Sequence, residues 1–248
     1  MRHIRIITFL VSIIVSPMYS NAYNIRQISS RDGLSNSAVI CLFQDTERYL
    51  WIGTYDGLNK YNSVDIQIYK PDVKKQNSLS GNVIRKVIES RDGYLWLMTK
   101  WGLNKYSKKE DRVEAYYNEF KEDNSIACDS RGNIFILAPT GVLYYYDFLN
   151  HRFTNIASLA DSPYRGWFNL IIDSNDKVWV TNNGIIKQFT INWNNDSLPS
   201  LERLNNFQHT QAITHIFYDN KNLIIVDETG DLFTIDQNKK KKIRNWIK

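Results

Sequence analysis

Two cysteines, five prolines and three methionines in 248 residues set the first limits. Cys41 and Cys128 both stand in apolar stretches (Val39-Ile40-Cys41-Leu42-Phe43 and Ile126-Ala127-Cys128). They read as small buried hydrophobes, because neither a disulfide framework nor zinc-type spacing can be built from them. Helix signals are scarce: only Tyr116 to Lys121 and the lysine-rich end offer weak ones. Beyond residue 22 no run of 18 apolar residues occurs, so no second membrane helix is expected. A Gly-x-Ser-x-Gly elbow, a His-Glu-x-x-His pair and a Walker loop are all missing. His209 and His215 lack an acidic or cysteine partner at ligand spacing, which argues against a metal site. The expectation is a chain with no catalytic residue, metal or cofactor.

Basic charge is also scarcer than the net value of +5 suggests. Residues 1–22 hold two arginines and no acid, and residues 239–248 hold five lysines and one arginine. The body, 23–238, keeps 23 basic against 26 acidic residues, about −3, which excludes a basic stripe for nucleic acid. The two ends read differently. Arg2 and Arg5, the apolar run Ile6 to Val15, and Ser20-Asn21-Ala22 form a secretory signal with cleavage expected before Tyr23. Residues 239–248 read as a solvated basic tail.

What is abundant is aromatic side chains, 15 Tyr, 11 Phe and 7 Trp, a composition that favours strands. They recur with a period. Tyr49-Leu50-Trp51-Ile52-Gly53-Thr54-Tyr55-Asp56-Gly57-Leu58-Asn59-Lys60-Tyr61 returns as Tyr94-Leu95-Trp96-Leu97-Met98-Thr99-Lys100-Trp101-Gly102-Leu103-Asn104-Lys105-Tyr106, with ten of thirteen positions identical or similar. Weaker copies lead from Phe135 to Gly141, from Trp179 to Gly184 and from Ile224 to Gly230. The glycines are spaced by 45, 39, 43 and 46 residues, the period of four short strands per unit. The fold expected is all-β: about five four-stranded antiparallel propeller blades over 23–238, short of a full seven-bladed ring.

Each repeated position carries a mechanical expectation. Trp51, Trp96, Phe135, Trp179 and Ile224 should fill the gaps between blades. Asp45, Asp129, Asp173 and Asp219, five or six residues earlier, should shape the turn between first and second strands. Gly57, Gly102, Gly141, Gly184 and Gly230 should supply positive φ in the turn into the third strand. Strands are expected at Ser37–Gln44, Tyr49–Thr54, Gly57–Tyr61 and Asp65–Tyr69 in the first unit, with polar inter-unit loops at 71–82, 117–125, 155–166 and 194–210. Ring closure would pair Tyr23–Ile28 with the last blade, beside the lysine-rich edge 239–247.

The repeat, with its opening Ile25-Arg26-Gln27-Ile28, Asp32-Gly33-Leu34-Ser35-Asn36 and Leu50-Trp51-Ile52-Gly53-Thr54, resembles the regulator-propeller repeat of Bacteroidetes hybrid two-component sensors. That resemblance implies a periplasmic sensing domain, commonly two seven-bladed rings, followed by a β-sandwich, a membrane helix and a histidine kinase. Here five units stand without membrane helix or kinase, as expected of an N-terminal fragment or split gene. Signalling would then belong to partners: the remaining blades or kinase portion of a longer sensor, with a homodimer as a further arrangement.

Strand direction places the turns before the glycines and the loops between blades on one face. It should present Tyr55, Asp56, Lys100, Trp101, Pro139, Thr140, Asn182 and Asn183, with Tyr164, Arg165 and Trp167 from a loop. Aromatic plates beside Arg, Lys and Asn suit an oligosaccharide. Tyr55, Lys100, Trp101, Arg165 and Trp167 are the candidate ligand-binding residues. A periplasmic protein-interaction scaffold is the main rival reading. A propeller glycosidase or lyase is the third, and would gather acids at the channel mouth.

Overall fold

Short runs rich in Val, Ile, Tyr and Trp, each closed by Asp, Asn or Gly, favour hairpins over any longer element. The computed structural model describes residues 27–75, 77–160, 168–193, 198–219, 221–236 and 239–243. Blade one consists of β1 (Val39–Gln44), β2 (Leu50–Thr54), β3 (Gly57–Tyr61) and β4 (Ile66–Tyr69). Blade two is β5 (Ile84–Glu89), β6 (Leu95–Thr99), β7 (Leu103–Ser107) and β8 (Arg112–Tyr117). Blade three is β9 (Ser125–Cys128), β10 (Ile134–Leu137), β11 (Val142–Asp147) and β12 (Arg152–Ser158). Blade four is β13 (Phe168–Ile172), β14 (Lys177–Asn182), β15 (Ile185–Asn192) and β16 (Ser200–Gln208). Blade five is β17 (Ile213–Tyr218), β18 (Leu223–Asp227), β19 (Leu232–Asp236) and β20 (Lys239–Lys242).

Each blade is a four-stranded antiparallel sheet in sequence order. The first strands β1, β5, β9, β13 and β17 adjoin one another in succession, which sets the sheets radially around a channel. The fold is an all-β propeller of five blades, without an α-helix among the described residues.

Four buried clusters hold neighbouring blades together, one per interface. Trp51 packs with Val87, Leu95, Leu97 and Tyr106 of blade two. Trp96 packs with Ile126, Ile134, Ile136 and Tyr146 of blade three. Phe135 packs with Leu170, Val178 and Phe189 of blade four, and Trp179 with Ile213, Leu223 and Ile225 of blade five. Each anchor projects from a second strand into the following blade.

A buried indole N–H needs an acceptor, and the residue six positions earlier supplies it. Trp51 Nε1 donates to Asp45 Oδ2 at 2.8 Å, Trp96 Nε1 to Ser90 Oγ at 2.9 Å and Trp179 Nε1 to Asp173 Oδ2 at 2.8 Å. The other carboxylate oxygen of Asp45 and of Asp173 accepts the amide four residues on, from Tyr49 and Lys177. In blade three the anchor is Phe135, with no N–H, and Asp129 Oδ2 takes the Asn133 side-chain amide instead. The acid is therefore a turn former and an indole cap together.

Several expectations need correction. Gly57, Gly141 and Gly230 have positive φ (129°, 78° and 85°), but Gly102 and Gly184 do not. Those two are glycine for space: a Cβ at Gly102 would lie 2.3 Å from Tyr116 Cε2, and one at Gly184 2.2 Å from the His209 carbonyl oxygen. In blade four the left-handed turn residue is Asn183 (φ 46°). The expected loop 194–210 contains strand β16, whose outer-edge position lets it be polar enough to resemble a loop. Tyr116 and Tyr117 end β8 rather than starting a helix. The lysines 239–242 are the outer strand of blade five, not a tail apart from the repeats.

Blade five pairs only within itself, so among the described residues no strand from blade one closes the ring. Most of the expected closing strand, and the expected signal segment, lie outside the described residues; Gln27 and Ile28 are not in a strand.

Candidate functional site

The face predicted from strand direction exists, and hydrogen bonds tie its turns to its loops. Gly57 N donates to Asn82 O at 2.7 Å, and Lys100 N to Val83 O at 3.2 Å. Asp56 accepts from Lys70 Nζ at 2.6 Å and Asn82 Nδ2 at 3.3 Å, and these two donors hold its carboxyl below the usual range.

On this face the candidate residues fall into two stations. Tyr55, 52% exposed, lies beneath the Arg85 guanidinium, 5.6 Å from ring centroid to Cζ. Arg85 in turn pairs with Glu122 (Nη2 to Oε2, 2.7 Å), which reinforces its charge. Because β5 is an innermost strand, this row from the blade-one turn to the blade-three loop follows the inner rim. Trp101, 54% exposed, is the outer station. Its carbonyl accepts from Tyr116 Oη at 2.6 Å, on the outermost strand of blade two, and Lys100 Nζ stands 5.2 Å from its ring. No ring contact joins Tyr55 to Trp101 among the described residues. Tyr164, Arg165 and Trp167 lie outside the described residues.

Sequence reasoning missed Arg85, Glu122 and Tyr116. Tyr116 was obscured by the weak helix signal, while Arg85 and Glu122 are 37 residues apart with no motif linking them.

Three concavities bear on function. A groove of about 600 Å³ lies between the blade-two exit loop and the outer strands of blade three; Tyr117, Lys121, Pro139, Thr140, Tyr144 and Arg152 are among its lining. The central channel holds a cavity of about 510 Å³ lined from β5, β9, β13 and β17, including Lys86, Ser125, Asn169 and Tyr218. The opposite face has a recess of about 450 Å³ lined by the turns between first and second strands, including Asp45, Glu89 and Asp129.

The acids of that opposite face are engaged structurally. Glu89 accepts from Thr46 N at 2.8 Å and Thr46 Oγ1 at 2.9 Å, joining blades one and two. Lys108 Nζ then sits among Glu89 (2.7 Å), Glu47 (2.9 Å) and Asp45 (3.4 Å). Asp176 repeats the latch two interfaces on, between blades three and four, accepting from Ser130 N and Oγ.

Comparison with known proteins agrees with this architecture. Residues 33–56 match the family described as two component regulator propeller. A 47-residue stretch is 45% identical to histidine kinase P4 of Formosa agariphila, covering 19% of this chain and 3% of that protein. The fold matches the extracellular domain of a hybrid two-component system from B. thetaiotaomicron with a TM-score of 0.67 and 21% identity, over 89% of this chain and 31% of that one. It also matches virginiamycin B lyase from Staphylococcus aureus (TM-score 0.61, 13% identity, 85% of this chain and 71% of that one), a likeness of fold alone. This chain thus spans about a third of the sensor domain it matches. Residues 33–56 thus match the two-component regulator propeller repeat, and the blade architecture is similar to that of the extracellular domains of hybrid two-component systems from B. thetaiotaomicron.

Proposed function

We propose that this chain is the ligand-sensing propeller region of a hybrid two-component sensor, exported to the periplasm by residues 1–22, and that it recognises a glycan-derived ligand. The observation that carries the reading is Trp101. In the turn slot where blade one has Asp56, blade two exposes a large indole, tied to Tyr116 and flanked by Lys100. An exposed indole beside a cation suits a sugar ring, which stacks on the plate while its hydroxyls take hydrogen bonds.

The membrane helix and kinase that convert binding into a signal belong, in this reading, to a longer chain or a partner; a second copy of the propeller is the natural dimerisation partner. A binding role is favoured over a lyase or glycosidase because the clustered acids Asp45, Glu47 and Glu89 surround Lys108. The test is Trp101→Ala in the full-length sensor, read as glycan-dependent signalling with folding checked by circular dichroism. Loss of the response in a folded variant supports the reading, and an unchanged response removes this face. Periplasmic fractionation and an N-terminus at Tyr23 check the export step.

A further inference from the structure

The channel cavity contains a lysine that has no acidic partner among the described residues. Among the described residues two charged side chains line it, Lys86 and Asp173. Asp173 is fully engaged, by the Trp179 indole through Oδ2 and by the amides of Asn175 and Lys177 through Oδ1. The Lys86 side chain makes neither an ion pair nor a hydrogen bond with any described residue. Buried lysines elsewhere are partnered: Lys105 meets Asp92 at 3.2 Å, Lys108 meets Glu89 at 2.7 Å, and Lys187 donates to Leu159 O at 2.6 Å.

The groups near Lys86 do not neutralise it. Burial pushes the Cys41 thiol up to about 11 and raises Cys128 too, so both are uncharged at neutral pH. Burial likewise pushes the Lys86 ammonium down from its ordinary value. A desolvated cation facing an open cavity is compensated most directly by an anion from outside. The cavity, about 510 Å³, is of small-ligand size. Its walls supply what a sugar also needs. Ser125 Oγ accepts from Leu170 N at 3.0 Å, which leaves its hydroxyl hydrogen to donate. Asn169 uses its Nδ2 on Thr181, leaving its carbonyl oxygen to accept, and Phe217 and Tyr218 add aromatic surface.

We propose that the central channel binds the anionic group of an acidic sugar, a carboxylate or a sulfate, with Lys86 as its counter-ion. The proposal rests on the glycan-sensing reading and narrows it to acidic glycans.

The test uses the whole chain and three disaccharides of equal size, one bearing a uronate, one a sulfate and one neutral, each titrated by calorimetry. At least one acidic disaccharide should bind ten-fold or more tighter than the neutral one, and which of them does identifies the anion. Lys86→Met should lose at least ten-fold of that affinity, and Lys86→Arg should retain most of it. As a readout independent of any variant's folding, Lys86 of the wild-type protein is acylated at neutral pH and quantified by mass spectrometry. The bound acidic disaccharide should protect it, and the neutral one should not. Unchanged acidic affinity in folded Lys86→Met, or an unprotected Lys86, overturns the proposal. Tight binding of the neutral disaccharide without Lys86 protection leaves glycan sensing standing and removes only the channel site. Protection by inorganic sulfate with no disaccharide binding does the reverse: the anion site stands and the glycan reading falls.

Discussion

Blades two and five solve one problem with different chemistry. In both, the loop entering the blade must be tied to the end of its second strand. In blade two the tie is neutral: Ser80 Oγ lies 3.0 Å from Thr99 Oγ1, and Asn104 exchanges hydrogen bonds with Ser80 N (2.9 Å) and Ser80 Oγ (2.7 Å). Blade one repeats this almost unchanged: Ser35 Oγ lies 2.9 Å from Thr54 Oγ1, and Asn59 meets Ser35 N at 2.8 Å and Ser35 Oγ at 2.9 Å. In blade five the slot of Thr99, three before the turn glycine, holds Asp227, and the loop offers His209, Nε2 to Oδ2 at 2.9 Å. The slot of Asn104 is Leu232. The position of the tie belongs to the repeat, whereas its chemistry is free to vary, and blade five makes it ionisable.

The anchors allow the most forceful attack on the comparison. Trp96 is fully buried among Ile126, Ile134 and Tyr146, with its indole capped by Ser90. Trp96→Ala should cost about 3–5 kcal/mol in denaturant unfolding. Ile224→Ala in blade five, where the anchor is smaller and belongs to none of the four inter-blade clusters, should cost about 2–3 kcal/mol. Equal losses would show that the anchors do not grade with blade position.

The loop tie of blade two comes next. Asn104→Leu copies Leu143, the residue blade three has in this slot, and strips partners from Ser80. A loss of about 1–3 kcal/mol is expected, because the part-buried Ser80 amide loses its acceptor and its hydroxyl keeps only Thr99 as a partner. If the variant is as stable as wild type, the hydrogen-bonded node is incidental to packing.

How far the sequence disclosed this molecule follows from which interactions are local. The period, the blade number and four of the five anchors were legible because each unit repeats them at fixed spacing; Ile224 is buried but belongs to no inter-blade cluster. The Asp45 to Trp51 cap was half legible: the spacing reveals a turn acid but not its indole partner, and Ser90 in the acid's slot hides the shared function. Strand β16 escaped notice because an outermost strand buries one side chain in two at most, and Ser200–Gln208 is exposed over much of its length. The sequence alone presents the candidate site as one patch. Tyr55 is drawn to Arg85 on an inner strand and Trp101 to Tyr116 on an outer one, and these pairings depend on tertiary distance rather than spacing.

The third prediction concerns acid. Burial opposes ionisation of Asp227, but hydrogen bonds from Thr229, His209 and the Asp231 amide outweigh it and hold the carboxyl at about 2, below its ordinary 3.8. A depressed carboxyl stabilises the fold fully above about pH 4, and that contribution fades as pH falls towards 2. Hydrogen exchange of blade-five amides should therefore accelerate across this window relative to those of blade two. The double variant His209→Ser with Asp227→Thr rebuilds the neutral pair of blade two and should shrink the difference. An unchanged pH profile would show that the acid sensitivity of blade five comes from elsewhere.

The turn glycines separate two reasons for glycine, and the smallest loss is expected at Gly230. Gly102 has no positive φ, and a Cβ there would meet the Tyr116 ring at 2.3 Å and the Tyr117 carbonyl at 2.9 Å. Gly102→Ala should cost about 1–3 kcal/mol by overpacking, and Tyr116→Ala should relieve part of that cost, since one of the two collisions is with a side chain. Gly230 has φ 85°, and a Cβ there would meet nothing within 4 Å, so Gly230→Ala should cost about 1–2 kcal/mol through backbone strain alone. No neighbouring substitution should relieve it, while Gly230→Asn should recover part, because asparagine enters the left-handed region more readily. Thermal unfolding of the two single variants, the Gly102→Ala/Tyr116→Ala double variant and Gly230→Asn checks the set. Additive losses at Gly102 and Tyr116 would show that the close approach of β8 to the blade-two turn is not what selects glycine there.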